Sequence, residues 1–113
     1  MRDVEVTREA ADLWRACFGI RWPTGYRVFL RRRASRRTWA WIDPFTRQIV
    51  VYTWGARSFD NLCRSLYHEM AHLKSGDYGH GLQFQEAYGI LLTAAKLKRG
   101  SWKCHLPIIK LSL

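Results

Sequence analysis

One stretch of this chain, residues 58–75, constrains the fold more than any other, because two different helical patterns overlap in it. Leu62, Leu66, Met70 and Leu73 recur at steps of three and four residues, the signature of a helix that buries one stripe. His68 and His72 stand four apart in the same stretch, so a helix turns both imidazoles the same way. Ser58 is a good N-cap, Asp60 falls in the first turn where the helix dipole favours an anion, and Gly76 marks the end. A helix of this kind needs other elements to cover its apolar stripe.

Those elements are legible from local patterns. Thr7 can cap a helix over residues 7–19, with Ala10, Leu13, Trp14, Cys17 and Phe18 on one face and Gly19 at its exit. Trp22-Pro23-Thr24-Gly25 is a turn-rich connector. Three strand candidates follow, Tyr26 to Arg31, Thr38 to Ile42 and Gln48 to Thr53, the last two joined by a hairpin loop at Asp43-Pro44-Phe45-Thr46. A last helix follows His80-Gly81, with Phe84, Ala87, Tyr88, Leu91, Leu92 and Ala95 as its apolar stripe and Lys96, Lys98, Arg99 and Gly100 suited to its end. The tail from Ser101 to Leu113 reads either as an edge strand around Pro107-Ile108-Ile109 or as an irregular arm. The order α-βββ-α-α predicts an α+β fold: an N-terminal helix, a three-stranded antiparallel-rich sheet, the His-bearing helix and a C-terminal helix. At 113 residues, one domain spanning 1–113 is expected.

The pentapeptide His68-Glu69-Met70-Ala71-His72 carries chemistry. Two imidazoles on one helix face can bind one metal ion, and imidazole ligands at this spacing favour zinc. Glu69 follows the first ligand, where its carboxylate reaches a metal-bound water without having to ligate. There it serves as general base and later returns the proton to a leaving amine. A catalytic zinc takes three protein ligands and keeps one position open. Two candidates exist for the third. His80 sits between Gly79 and Gly81 at the start of the last helix, and Glu86 lies nearly two turns further on. They are six residues apart and do not share a face; His80 is the preferred ligand.

His68-Glu69-Met70-Ala71-His72 followed by Gly79-His80-Gly81-Leu82-Gln83-Phe84 resembles the SprT-like zincin metallopeptidases. Their pattern is HExxH, a connecting loop, then HG with an aromatic residue three positions after that glycine, a place that Phe84 fills. The resemblance covers residues 58–97 by motif. It implies a minimal zincin, Zn2+ held by His68, His72 and His80, catalysis by Glu69, and a protein or peptide substrate. Cys104 alone cannot supply the C-terminal zinc ribbon of larger members, so the chain resembles a bare catalytic core of bacterial or phage type. Ser75 and Tyr78 stand where a metzincin would need Gly and His.

Supporting roles stay open. Tyr67, Tyr78, Tyr88 and Arg64 are candidate donors to an oxyanion. Asp77, Glu86 and backbone carbonyls are candidate acceptors behind the ligand histidines. In zincins a sheet edge beside the active-site helix takes an extended substrate, which implies Gln48 to Thr53 or its hairpin partner. Trp39 and Trp41 share a strand face that reads as core more readily than as a stacking platform. Cys104-His105 lacks further partners for a metal site.

Nineteen Lys and Arg against nine Asp and Glu give a net charge of +10, a field that attracts polyanions. Arg31, Arg32, Arg33, Arg36 and Arg37 are the candidate nucleic-acid contacts. The family includes DNA-associated proteases, which extends the expected substrates to DNA-associated proteins. The N-terminus lacks an apolar signal region, no apolar run is long enough to span a bilayer, and Cys17, Cys63 and Cys104 do not form a disulfide framework. A cytoplasmic setting with no membrane partner is therefore expected, with nucleoid association as its extension. Two rival readings remain: a basic nucleic-acid-binding module with a structural zinc, and a zinc amidase acting on a small substrate. Oligomeric state is not readable from the sequence.

Overall fold

The computed structural model describes residues 3–31, 40–52 and 59–97. These form β1 (Val4–Glu5), α1 (Thr7–Phe18), β2 (Arg27–Arg31), β3 (Ala40–Asp43), β4 (Gln48–Tyr52), α2 (Phe59–Ser75) and α3 (Leu82–Leu97). The fold is α+β. Ser58, Lys98, Arg99, Gly100 and the tail from Ser101 to Leu113, Cys104 and His105 included, lie outside the described residues, as do Trp39 and Thr38.

The sheet has four strands, in the order β1-β2-β4-β3, rather than three. The added strand is the two-residue β1, antiparallel to β2 through Val4↔Leu30 and Glu5↔Phe29. Two residues are too few to show an alternation, so no sequence pattern announces it. Two ion pairs flank this pairing, Glu5 Oε1 to Arg27 Nη2 at 2.7 Å and Asp3 Oδ2 to Arg31 Nη2 at 2.9 Å. β4 lies between β2 and β3, parallel to the first and antiparallel to the second. The sheet is therefore mixed. The β3–β4 hairpin turns where expected, with Asp43 Oδ1 accepting from the Phe45 N–H at 2.9 Å.

All three helices contribute to one core. Ala10, Leu13 and Trp14 of α1, Leu62, Leu66 and Met70 of α2, and Phe84, Ala87 and Leu91 of α3 are buried against Val28, Leu30, Ile49 and Val51 of the sheet. Leu73 packs at its margin. Alternation along the strands sends Phe29, Val50, Trp41 and Tyr52 to the other face. Trp41 thus does not join the core. Its Nε1–H donates to the Tyr52 hydroxyl at 3.0 Å, and the Arg31 guanidinium stands 6.0 Å from each of the two ring centres. Val50, fully buried, sits in this second, smaller layer.

One helix end among the described residues departs from the sequence expectation. Thr7 is the first helical residue, not the cap. Its hydroxyl donates to Glu5 Oε2 at 2.7 Å and accepts from the Val28 N–H at 2.9 Å, tying α1 to the sheet. Gly19 and Gly76 do terminate α1 and α2, at φ 66° and 68°, in the left-handed conformation that only glycine adopts without strain.

Candidate metal centre

The site begins with the pitch of α2. The stripe that buries Leu62, Leu66 and Met70 leaves His68 and His72 together on the side facing α3, their ring centres 4.7 Å apart. α2 stops at Gly76, whose N–H donates to the His72 carbonyl at 3.0 Å. Residues 77–81 then turn back and deliver His80 just before α3. His80 Nε2 lies 3.0 Å from His68 Nε2. One nitrogen from each of His68, His72 and His80 falls within 4.8 Å of the other two, and among the described residues this is the group that can hold a metal ion.

Phe84 is the floor of this triad. It is 2% exposed, with its ring centre 5.0 Å from His68, 4.5 Å from His72 and 4.9 Å from His80. Tyr88 stacks behind Phe84 at 5.7 Å and approaches His68 at 6.0 Å. Tyr78 stacks on the outer side of His72, 6.0 Å away and 12° from parallel. Burial, reinforced by the neighbouring Tyr26 phenol, raises the Tyr78 pKa above its ordinary value.

The spacing of His68 and His80 fits a shared metal ion. Two nitrogens bound to one zinc at ~2.0–2.1 Å with tetrahedral angles lie ~3.3 Å apart, close to the 3.0 Å between His68 and His80. His72 Nδ1 meets the Asp77 carbonyl oxygen at 2.8 Å; as the donor there, it leaves Nε2 as the ligand atom. His68 Nδ1 lies 3.3 Å from Glu69 Oε1. In the tautomer that frees His68 Nε2 for a metal, Nδ1 carries the proton and donates to that carboxylate. Glu69 is 8% exposed and His72 5%, the buried polar side chains of the described region. Among the described residues no fourth His, Cys, Asp or Glu joins the three imidazoles.

The remaining candidates divide. Glu86 is exposed and lines a separate cavity of about 310 Å³ with Phe18, Lys74, Ser75, Gln83 and Ile90. It is not part of the metal-competent group, which leaves His80 as third member. The sequence left the acceptor behind His72 open between Asp77, Glu86 and a backbone carbonyl; it is the backbone carbonyl of Asp77. Tyr78 and Tyr88 reach the histidines, whereas Tyr67 is 1% exposed in the core and Arg64 points outward. Of the five candidate nucleic-acid contacts, Arg31 pairs with Asp3, and Arg32, Arg33, Arg36 and Arg37 lie outside the described residues.

Sequence reasoning missed the carboxylate of Asp77. Its Oδ1 accepts from the Gly79 N–H at 2.8 Å and its Oδ2 from the Gly81 N–H at 3.3 Å. The Ser75 hydroxyl in turn accepts from the Asp77 N–H at 3.1 Å. An Asp two residues before a Gly is a turn signal that was available in Asp77-Tyr78-Gly79. Comparison with family models, curated proteins and solved structures returned no match.

Proposed function

We propose that this chain is a zinc-dependent peptidase, with His68, His72 and His80 as metal ligands and Glu69 as the catalytic base. The observation that carries this reading is the convergence of three imidazoles within 4.8 Å beside a carboxylate that is 8% exposed.

A zinc ion held there supplies Lewis-acid polarisation of water and of a scissile carbonyl. The protein's own residues do the rest. Glu69 accepts the proton of the attacking water on a carboxylate oxygen and passes it to the leaving amine. Hydrogen bonding to His68 Nδ1 holds that carboxylate in place, and burial keeps bulk water from competing for it. Tyr78 and Tyr88 are the phenols available as donors to a developing oxyanion.

An extended peptide fits β3 rather than β4. Among the described residues β4 has a neighbour on both sides, whereas β3 is an edge strand and packs beside α2. Substrates associated with DNA are supported by the charge distribution. All nine acidic residues and nine of the nineteen basic ones fall in the described region, which is formally neutral. The whole +10 therefore belongs to residues 1–2, 32–39, 53–58 and 98–113. Among the described residues no helix is long and apolar enough to cross a membrane. A cytoplasmic, nucleoid-associated peptidase accommodates these features.

The test is cleavage of a DNA-binding protein by the zinc-loaded chain, with and without DNA, beside Glu69→Gln. Turnover should fall by about 10²–10⁴-fold in the variant while zinc stays bound at wild-type stoichiometry. Equal cleavage by the variant, or none by the zinc-loaded wild type, overturns the peptidase reading. DNA that leaves the rate unchanged removes only its DNA-associated part.

A further inference from the structure

The two helix-borne histidines need no explanation beyond α2 itself. His80 does, because it is exposed and reaches the site from a five-residue loop. Residues 77–81 cross from the end of α2 to the start of α3, and backbone polar groups in such a crossing must find partners. Asp77 takes part in most of the contacts that result. The Asp77 carbonyl accepts from His72 Nδ1 at 2.8 Å. Its carboxylate accepts from the N–H groups on both sides of His80, Gly79 at 2.8 Å and Gly81 at 3.3 Å. Its own N–H is taken by Ser75 Oγ at 3.1 Å. The Ser75 hydroxyl donates to the His72 carbonyl at 3.3 Å, closing a ring of contacts back to the second ligand.

The glycines fit this arrangement sterically. A Cβ on Gly81 would stand 2.9 Å from Asp77 Oδ2, and one on Gly79 would stand 3.2 Å from Oδ1. The carboxylate is seated so close to the backbone that a side chain at Gly81 would displace it and one at Gly79 would press on it. His80 is thus held between two glycines whose N–H groups are both clamped by one carboxylate.

We infer that Asp77 is the positioning residue of the metal centre, its carbonyl fixing the tautomer and ring orientation of His72 and its carboxylate fixing the place of His80. The inference rests on the metal-site reading above. It makes the third ligand depend on a side chain that does not itself ligate, and it makes Asp77 and Gly81 act as one unit. Losing partners behind metal ligands costs about 10–100-fold in affinity, and that is the loss expected for Asp77→Ala. Asp77→Asn keeps an oxygen to accept from the Gly79 N–H but offers an amide NH2, a donor, where the Gly81 N–H needs an acceptor. Its loss should lie between those of wild type and Asp77→Ala.

The experiment is zinc affinity by chelator competition for the full chain and for Asp77→Ala, Asp77→Asn, Gly81→Ala and the double variant Asp77→Ala/Gly81→Ala. The cobalt-substituted absorption spectrum reports the ligand set, and thermal melting without metal reports folding. Expected are a graded loss in the two Asp77 variants, an altered cobalt spectrum in Asp77→Ala, and a smaller effect of Gly81→Ala once Asp77 is gone than in the wild-type background. Wild-type zinc affinity and an unchanged cobalt spectrum in Asp77→Ala overturn the positioning role and leave the metal site standing. Fully additive effects of the two substitutions overturn the claim that Asp77 and Gly81 act together. A wild-type chain that binds neither zinc nor cobalt overturns the metal-site reading itself, and this role with it.

Discussion

His68 and His72 on one side, and His80 on the other, are held by different physics. The first pair belongs to a 17-residue helix whose opposite stripe is fully packed, so the backbone carries both rings to their places by pitch alone. The third comes from a loop whose position is set by polar contacts within residues 75–81 and by the stacking of Tyr78 on His72. A helix-borne ligand is lost when the core is lost. A loop-borne ligand can be lost while the core survives. The fold thus combines a stable half-site with one that is separately adjustable.

Phe84→Ala breaks both halves together and should have the largest effect. Phe84 is 2% exposed and touches all three imidazoles. Truncating it should cost about 3–5 kcal/mol of stability, read by urea denaturation, and weaken zinc binding in the fraction that still folds. Stability near wild type would mean that the floor is not structural.

Gly76→Ala sharpens the contrast. Gly76 sits at φ 68° with nothing within 4 Å of an added Cβ, so the cost is backbone strain alone, about 1–2 kcal/mol. That strain falls where α2 hands over to the loop. Zinc affinity should drop more than the melting temperature implies, whereas a core truncation such as Leu66→Ala should lower stability and spare the affinity of the folded protein. Equal ratios of affinity loss to stability loss in the two variants would erase the distinction.

The smallest effect lies at the sheet edge, far from either half. Hydrogen bonding to Arg27, then to Thr7, holds the Glu5 pKa below its ordinary 4.5. A depressed carboxylate pKa contributes stability that is present above the unfolded pKa and is lost as pH falls through the folded one. Glu5→Gln should therefore destabilise the metal-free protein slightly at neutral pH, and the difference from wild type should fade as the pH drops well below 4.5. The pair is solvent-screened, so the effect is small. A gap between the two proteins that persists undiminished in acid would assign Glu5 a role other than its charge.

Much of this was legible in advance. The end of α1, the start of α3, the hairpin turn at residues 43–46 and the glycines that stop two helices follow from local patterns, and the structure has them. So does the pairing of His68 with His72, since i, i+4 spacing fixes it without reference to anything else. The role of Thr7 was misread. An N-cap and a first-turn residue differ by one position in sequence, and only the proximity of Val28 shows which one this threonine occupies. β1 was invisible at two residues long. The insertion of β4 between β2 and β3 depends on a long-range pairing, as does the choice of β3 as an edge strand.

The sequence by itself determined the three helices, the three longer strands and the two helix-borne histidines, because helical period and turn chemistry act over three to five residues. Only the tertiary structure decided that His80 joins them and Glu86 does not, and that Trp41 leaves the core for the opposite face of the sheet. It alone made Asp77 the point where loop and ligands meet. The reason is range. Each of these outcomes depends on how α2, α3 and the sheet pack, and packing sums contacts between residues whose separation along the chain carries no periodic signal.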